Sequence, residues 1–282
     1  MTRSAYVNGE FVDAENAKVS IFDRGFLFAD GVYEITAVLG GRMIDFRPHL
    51  ERLRSSLAKL DMTLEMDDAA IEALHHELIE RNGLENGVVY IQVTRGVAER
   101  DFAYPPDATP TVIGFTQTRD YAGDRNAVTG VPVITTPDLR WARRDIKSIA
   151  LLAQAMGKQE AKQRGAFEAW MVQDGLVTEG TSSSSFIVDN DGVIITRALS
   201  RDILPGLTRG RLLTLIESED LPVNQRPFSV EEALAAREAF LTSASSFVLP
   251  VVSIDGHPIG DGTPGPVARR LRELYLDFAT PA

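Results

Sequence analysis

Short strand-like runs separated by turn residues alternate with helical segments from the start of the chain, and this alternation decides which folds are open to it. Asn8-Gly9 stands between two such runs and predicts a hairpin with a type I′ turn. Four further runs have strand character: residues 32–39, 42–46, 88–94 and 111–118. One helix is predicted after Pro48, with leucines at helical spacing, and another spans about residues 68–82 before Gly83. The sequence therefore predicts a mixed α+β unit with mostly antiparallel strands.

The second part of the chain follows a polar stretch at residues 119–127, which lacks periodicity and contains Gly123. Helices are predicted at residues 149–164, after Pro205-Gly206, after the capping box at 229–232, and at 266–278. Strands are predicted at residues 131–135, 168–172, 186–188, 193–196 and 239–242. We therefore predict a small N-terminal domain at residues 1–118, an interdomain linker at 119–127 and a larger domain at 128–282.

Composition excludes several classes of protein. Apolar residues make up 44% of the 282 residues, enough for a full core, and the net charge of −11 argues against a nucleic-acid partner. The chain has no cysteine, which removes disulfides, thiolate metal sites and a cysteine nucleophile, and which fits a cytoplasmic location. We find no apolar signal core, no run of about 18 apolar residues that would span a membrane, and no histidine pair with metal-ligand spacing.

Lysine is rare in this chain, with five lysines against 24 arginines. Helical or loop positions account for four of the lysines, but not for Lys147, which lies in an arginine-rich stretch. A lysine that forms a Schiff base must be neutral for part of the time, and Arg140, Arg143 and Arg144 would favour the neutral amine. Taken alone, Lys147 is also compatible with an ordinary surface lysine in a basic loop.

A carboxylate and two anion-binding features follow Lys147. Glu179 comes at the end of a predicted strand, where a carboxylate can hold a pyridine nitrogen or simply close a turn. Residues 181–185 are five small hydroxyl residues before a strand, which predicts an ordered turn able to donate to phosphate. A predicted helix N-terminus offers the N–H groups of Leu207 and Thr208 to an anion. Lysine, carboxylate and anion site together are what a pyridoxal phosphate enzyme requires.

Five stretches, in this order along the chain, resemble class IV (fold type IV) pyridoxal-phosphate aminotransferases. Residues 23–34 (DRGFLFADGVYE) resemble the N-terminal signature of the family. Residues 92–96 (QVTRG), 145–148 (DIKS), 158–161 (KQEA) and 178–180 (TEG) resemble its D-amino-acid transaminase branch. The resemblance covers nearly the whole chain. It implies the two-domain α+β or α/β fold of the family, in which a small mixed α/β domain precedes a larger domain with a β-barrel-like sheet and flanking helices.

The resemblance also implies roles for individual residues. Lys147 would be the Schiff-base lysine and proton shuttle, and Glu179 would be the partner of the pyridine nitrogen. Leu204 would pack against the cofactor ring, and Ser182 belongs to the hydroxyl-rich turn that would contact the cofactor. The implied phosphate ligands are Arg52, Leu207, Thr208, Ser243 and Ala244.

Tyr33 and Arg100 match positions that bind the substrate carboxylate in this family, and here the sequence departs from its relatives. The D-amino-acid branch has an Arg-x-His pattern where this chain has Arg100-Asp101-Phe102. An apolar ring thus replaces a donor in the substrate-binding group, and Asp101 is expected to neutralise Arg100 in part. Ser184 is a milder departure, because related loops have asparagine there and a hydroxyl can still donate.

These residues imply transamination of D-amino acids, such as D-alanine or D-glutamate, with a 2-oxo acid acceptor such as 2-oxoglutarate or pyruvate. Phe102 also favours an alternative, an (R)-selective primary-amine transaminase or an enzyme with both activities. A branched-chain aminotransferase, a lyase of the aminodeoxychorismate type and a cofactor-binding protein without turnover are weaker alternatives. A homodimer is expected from the family, and no metal, nucleic-acid or membrane partner is expected.

Overall fold

The computed structural model describes residues 3–121 and 123–280 of the chain. Its contacts form two compact units. The first unit comprises the chain up to Asp120 together with Ile146–Ala150, and the second comprises Tyr121–Asp145 and everything from Leu151 onward. The division differs from the predicted continuous domains in giving Ile146–Ala150 to the first unit. The predicted boundaries themselves stay a prediction.

The first unit contains an antiparallel sheet with the strand order β2-β1-β6-β5-β3-β4. Its strands are β1 (Ser4–Val7), β2 (Glu10–Asp13), β3 (Gly31–Leu39), β4 (Arg42–Met43), β5 (Gly87–Thr94) and β6 (Thr111–Thr118). Asn8 and Gly9 have φ angles of 47° and 101°, which confirms the predicted type I′ hairpin between β1 and β2. The pairings confirm the predicted antiparallel α+β unit.

Three α-helices pack in this unit: α1 (Arg24–Phe28), α2 (Phe46–Lys59) and α3 (Asp68–Arg81). The first helix was not predicted, and α2 begins before Pro48, because the left-handed φ of 52° at Asp45 ends the strand early. Proline is tolerated in the first turn of a helix, where its missing N–H has no partner. The core of the unit is apolar side chains from α2, α3 and the sheet, among them Leu53, Leu57, Leu78 and Val89.

The second unit contains a mixed sheet with the order β12-β11-β10-β13-β14-β7-β8-β9, and β15 pairs with β14. Its strands are β7 (Val131–Pro137), β8 (Glu168–Gln173), β9 (Leu176–Gly180), β10 (Ser184–Val188), β11 (Ile194–Thr196), β12 (Val223–Gln225), β13 (Glu238–Ser243), β14 (Phe247–Ile254) and β15 (His257–Pro258). Strand β7 pairs in parallel with β8 and β14, whereas β8 and β9 form an antiparallel hairpin. The sheet is buried around Trp170 and Phe228.

Helices of the second unit are α4 (Arg125–Thr129), α5 (Leu152–Gln163), α6 (Leu207–Ser218), α7 (Val230–Ala235) and α8 (Pro266–Ala279). The predicted linker 119–127 contains the start of α4 and the buried side chain of Tyr121. Helix α5 begins three residues later than predicted, because Ile149 pairs with Gly31 instead of joining the helix. In the described ranges, no helix has the length and apolar character needed to cross a membrane.

Candidate functional site

The backbone of Lys147 is fixed by the first unit. The N–H of Tyr33 donates to the Lys147 carbonyl at 3.0 Å, and the N–H of Lys147 donates to Ser56 Oγ at 3.2 Å. Its Nζ lies 4.2 Å from the centre of the Tyr33 ring, which itself stacks on Tyr90 at 5.4 Å. Two predicted site residues, Lys147 and Tyr33, are therefore neighbours at the start of β3.

Gly31 makes this pairing possible. The N–H of Ile149 donates to the Gly31 carbonyl at 3.0 Å. A Cβ atom at position 31 would lie 2.7 Å from the Val93 carbonyl oxygen and 3.1 Å from Ile149 Cδ1. Because both distances are shorter than ordinary contacts, only glycine lets the Lys147 segment and β5 approach β3 together.

Arg52, a predicted phosphate ligand, lies on α2 in a buried hydrogen-bonded group with Glu34 and His49. Its Nε and Nη2 atoms donate to the two Glu34 carboxylate oxygens, each at 2.8 Å. Burial acts to raise the pKa of Glu34, but the Arg52 guanidinium and His49 outweigh it and hold that pKa well below its usual range. Glu34 is therefore an anion that orients the planar guanidinium from one side.

His49 completes this group as a neutral hydrogen-bond donor. Its Nδ1 is 2.7 Å from Glu34 Oε2. This distance fits both an ion pair with a protonated ring and a hydrogen bond from a neutral ring. Burial lowers the pKa of His49, and although Glu34 opposes this shift the pKa stays below its ordinary value. At neutral pH the ring is therefore uncharged, and its N–H donates to the carboxylate.

Glu179 lies at the end of β9 in the second unit and is 5% exposed. The backbone N–H of Leu204 donates to both carboxylate oxygens, at 3.1 and 3.3 Å, and Arg140 Nη1 donates to Oε1. Burial raises the pKa of Glu179, and the charge of Arg140 offsets this only in part. The structure thus brings together two predicted cofactor residues, Glu179 and Leu204, through a direct hydrogen bond.

Arg140 is held in turn by Asp138, whose side chain has no exposed area. Asp138 accepts from Arg140 Nε at 2.9 Å and Nη2 at 2.7 Å, and from the Thr178 hydroxyl at 2.7 Å. Burial acts to raise the pKa of Asp138, but these donors lower it overall. Asp138, Arg140 and Glu179 form a chain of alternating charges. Asp138 was missed in the sequence analysis, because an Asp-x-Arg pattern is too short to distinguish from ordinary loop sequence.

The three arginines that precede Lys147 in the sequence each lie next to a carboxylate. Arg140 pairs with Asp138 and Glu179, Arg144 lies 3.4 Å from Asp138, and Arg143 Nε lies 3.0 Å from Asp145 Oδ1. Each positive charge therefore has a carboxylate partner within the second unit. An effect of these arginines on the Lys147 amine stays a prediction.

The hydroxyl-rich turn is ordered by a buried carboxylate that the sequence analysis missed. Glu168, at the start of β8, is 1% exposed and accepts from the hydroxyls of Thr181, Ser182 and Ser183. The Ser182 Oγ to Glu168 Oε2 distance is 3.0 Å. A tight, ordered turn is what the sequence predicted, but these hydroxyls are directed to Glu168. A role of Ser182 at the cofactor stays a prediction.

The remaining predicted phosphate ligands lie at two turns of the second unit. Leu207 and Thr208 begin α6, and no side chain caps this helix at Gly206. The Ser243 hydroxyl lies 2.7 Å from that of Ser246, and the Ala244 carbonyl accepts from the Tyr121 hydroxyl at 3.2 Å. Helix α6 begins three residues after Leu204, whose N–H donates to Glu179. The first N–H groups of the helix are therefore close in sequence to this hydrogen bond.

Arg100 and Phe102 occupy an exposed loop between β5 and β6. The Phe102 side chain is 78% exposed, and its ring centre is 5.4 Å from that of Phe28. Arg100 Cζ lies 5.4 Å from the Phe28 ring centre and 5.5 Å from that of Phe102. Asp101 Oδ1 accepts a hydrogen bond from the Ala103 N–H at 3.1 Å. Partial neutralisation of Arg100 by Asp101 stays a prediction.

Comparison with known sequences assigns the chain to a family. The family model for amino-transferase class IV matches residues 31–254. D-alanine aminotransferase of Staphylococcus aureus (strain MSSA476) is 38% identical over 274 residues, which cover 97% of this chain and 96% of that protein. D-alanine aminotransferase of Bacillus licheniformis is 38% identical over 265 residues, covering 94% and 93%.

Solved structures agree with this assignment. Branched-chain amino acid aminotransferase of Escherichia coli has a TM-score of 0.91 at 22% identity, covering 99% of this chain and 95% of that one. The branched-chain amino acid aminotransferase of T.th., solved with pyridoxamine 5'-phosphate, has a TM-score of 0.91 at 27% identity, with coverage of 99% and 95%. They confirm the predicted fold class, mixed α/β with a curled half-barrel sheet and flanking helices. The chain belongs to the class IV aminotransferase family.

Proposed function

We propose that this protein is a pyridoxal-phosphate-dependent transaminase of D-amino acids such as D-alanine, with a 2-oxo acid such as pyruvate or 2-oxoglutarate as acceptor. The observation that carries the proposal is the 38% identity, over 97% of the chain, to a protein named D-alanine aminotransferase. The branched-chain enzymes among the structural relatives share the fold at 22–27% identity, so they carry less weight for the substrate.

The residues present fit pyridoxal phosphate. Glu179 is a buried carboxyl that accepts from Arg140 and from the Leu204 N–H, which suits an anionic partner for a ring nitrogen. Helix α6 begins without a side-chain cap, so the amides of Leu207 and Thr208 suit a phosphate. Arg52 is an oriented guanidinium, and Lys147 is a lysine whose backbone is hydrogen-bonded on both sides. The roles of Ser182, Leu204, Ser243 and Ala244 at the cofactor are part of the same proposal.

Each residue contributes one elementary action. Pyridoxal phosphate, when bound, supplies an aldehyde that carries the amino group and a ring that takes up the electron pair from the donor Cα. Lys147 Nζ would hold the cofactor, and as a free amine it would take the proton from the donor Cα. Glu179 would keep the ring nitrogen hydrogen-bonded, and Tyr33 and Arg100 would orient the donor carboxylate.

A paired donor assay tests the proposed substrate class. The purified protein, supplied with pyridoxal phosphate and 2-oxoglutarate, is given D-alanine or L-alanine, and pyruvate is measured. We expect pyruvate from D-alanine at a rate at least about a hundredfold above that from L-alanine, a difference of about 3 kcal/mol in activation free energy. A preference for L-alanine would contradict the proposal. Pyruvate from D-alanine that never exceeds the single equivalent accepted by the bound cofactor, even with 2-oxoglutarate present, would contradict it as well.

A second function, transamination of (R)-amines that lack a carboxylate, is favoured by one observation. Phe102 stands where the D-amino-acid branch has a histidine, and its exposed ring packs on Phe28 rather than presenting a donor. An apolar ring suits an apolar donor group. We expect measurable turnover of (R)-1-phenylethylamine, reduced by Phe102→His. Turnover of this amine that does not change in the variant would exclude a role for Phe102.

A homodimer belongs to the same proposal. Several large apolar side chains of the first unit are exposed, among them Ile21 at 67% and Phe26 at 72%, and such residues are common at subunit contacts. Analytical ultracentrifugation at micromolar concentration should give twice the mass of 30.9 kDa, and a monomer would contradict it. A cytoplasmic location stays a prediction from the cysteine-free composition.

A further inference from the structure

Two buried arginines and one aspartate lie beside the loop that carries Arg100 and Phe102. Arg24 is 2% exposed and Arg95 is 6% exposed. Asp30 Oδ2 lies 2.7 Å from Arg24 Nε and 2.8 Å from Arg95 Nε, so one carboxylate bridges both guanidinium groups. We name these three residues the Asp30 cluster. None of them is among the residues proposed to bind the cofactor or the substrate.

Arg24 holds the backbone of the loop. Its Nη1 donates to the carbonyl of Asp101 at 2.6 Å and to that of Ala103 at 3.3 Å, and its Nη2 is 3.5 Å from the carbonyl of Phe102. Three consecutive carbonyl groups are thus directed at one guanidinium. The side chain of Phe102 stays exposed while its backbone is held.

Arg95 connects the Asp30 cluster to the residues that follow α2 and to Tyr104 of the loop. Its Nη2 donates to the Leu60 carbonyl at 2.8 Å, and its Nη1 donates to the Asp61 carbonyl at 3.2 Å. The ring of Tyr104 lies over the same guanidinium, 3.5 Å from Cζ to the ring centre. The loop is therefore held at residues 101–103 through Arg24 and at Tyr104 through Arg95.

The charges of the Asp30 cluster explain why the loop carbonyls are needed as hydrogen-bond acceptors. The cluster has two positive charges and one negative charge, so Asp30 cannot satisfy all the guanidinium N–H donors. Backbone carbonyls supply the remaining acceptors, and a loop that moved away would leave buried donors without partners. Lysine could not replace Arg24, because one ammonium group cannot reach Asp30 and the carbonyls with the geometry of the planar fork.

The loop places the Arg100 guanidinium over two aromatic rings. Its guanidinium carbon is 5.4 Å from the Phe28 ring centre and 5.5 Å from that of Phe102. In the part of the chain that the structure describes, Arg100 has no carboxylate partner. A cation–π contact does not use the guanidinium N–H donors, so they can bind a carboxylate ligand.

We propose that Arg24, held by Asp30 and Arg95, is a positioning residue that fixes the loop bearing Arg100 and Phe102 and thereby sets the affinity for donor carboxylates. The inference rests on the proposed function for the role of Arg100. Its structural part, that Arg24 fixes the loop, can be tested without any substrate.

The test uses the purified holoenzyme and compares Arg24→Gln and Arg24→Lys with a matched control. Arg54→Gln is that control, because Arg54 also donates to loop carbonyls of the first unit, at Leu64 and Met66, but in a loop without proposed substrate residues. Backbone amide exchange in residues 97–106 is followed by mass spectrometry. KM and kcat for D-alanine and the dissociation constant of pyridoxal phosphate are measured on the same preparations.

We expect Arg24→Gln to accelerate exchange in residues 97–106 and to raise KM for D-alanine about tenfold, with kcat and cofactor affinity within about threefold of wild type. Arg24→Lys should give a smaller change in the same direction. Arg54→Gln should leave both exchange in residues 97–106 and KM unchanged. If Arg24→Gln does not fold, the Arg24→Lys comparison decides.

Two results would overturn the inference. One is unchanged exchange in residues 97–106 in both Arg24 variants. The other is an equal loss of cofactor affinity and kcat with no selective rise in KM, which would mark Arg24 as only structural. Failure of the proposed function would be seen differently, because the wild-type protein would then not transfer the amino group of D-alanine. The comparison of amide exchange would still show whether Arg24 fixes the loop.

Discussion

At the scale of single residues, the candidate site depends on buried carboxylates that fix cationic partners. Glu34 orients Arg52, and Asp138 orients Arg140, which donates to Glu179. Buried ion pairs of this kind add little net stability, but they define where a charged group points. Their consequences should therefore be seen in binding and rate more than in folding.

Glu34→Gln should weaken cofactor binding through Arg52. The amide keeps the shape but removes the charge that orients the guanidinium, so we expect the dissociation constant of pyridoxal phosphate to rise about tenfold. Fluorescence titration of the cofactor-free protein measures it. Glu77→Gln is the matched control, because Glu77 pairs with Arg81 on the surface of the same unit. Equal affinities for Glu34→Gln and wild type would rule out this role.

Glu179→Gln should lower the rate without preventing cofactor attachment. An amide cannot provide the negative charge that favours a protonated ring nitrogen, so we expect kcat to fall by about 10² or more. Absorbance spectra and kcat for D-alanine are the measurements. A variant with wild-type kcat would show that Glu179 is not the partner of the ring nitrogen.

Sequence reasoning reached these residues unevenly. Glu179 and Lys147 stood out because their local patterns matched a known family. Glu34 lay inside the matched signature, yet its contact with Arg52 depends on α2 packing against β3, which no local pattern encodes. Glu168 was missed for the same reason, since its three hydroxyl partners are at least 13 positions away in the sequence.

At the scale of elements, close backbone approach at Gly31 should be essential. Gly31→Ala places a methyl group 2.7 Å from the Val93 carbonyl oxygen, so we expect a loss of about 1–3 kcal/mol in the free energy of unfolding. Gly210→Ala is the contrasting variant, because it lies in α6 with nothing near its added Cβ, and should stabilise by about 0.5–1 kcal/mol. Urea unfolding measures both, and equal effects would contradict the steric explanation.

The sequence predicted well those elements that have a clear turn motif or a clear hydrophobic period. The Asn8-Gly9 hairpin, α3 and β6 were found nearly to the residue. Strand β14 (Phe247–Ile254) was missed, because its residues are buried on both faces and show no alternation, and because Pro250 argues against a strand interior. The pairing of Ile149 with Gly31 is a long-range contact, so the sequence placed residue 149 in a helix.

At the scale of the whole molecule, stability should fall as the pH is lowered below neutrality. Burial lowers the pKa of His75 to about 4. Its Nδ1 donates to the Ile71 carbonyl at 2.8 Å, and its Nε2 accepts from the Thr36 hydroxyl, so the folded ring is neutral. Between pH 6.5 and 4 the unfolded chain binds a proton that the folded one does not. Stability is therefore lost as pH falls through this window, by up to about 3 kcal/mol.

Two histidine variants isolate this contribution. Urea unfolding at pH 7.5 and pH 5.0 should show a smaller loss of stability in His75→Gln than in wild type. His76→Gln should behave like wild type, because His76 is exposed on the same helix. The contribution of His49 is common to all three proteins. An identical pH dependence in His75→Gln and wild type would refute the assignment.

The central claim is that Lys147 carries the cofactor, and one measurement tests it directly. The protein is loaded with pyridoxal phosphate, reduced with borohydride and digested, and the peptides are analysed by mass spectrometry. With only five lysines in the chain, each is separately resolvable. We predict a single phosphopyridoxyl group, on Lys147, and none after prior incubation with D-alanine. Modification of another lysine, or none in the loaded protein, would contradict the account.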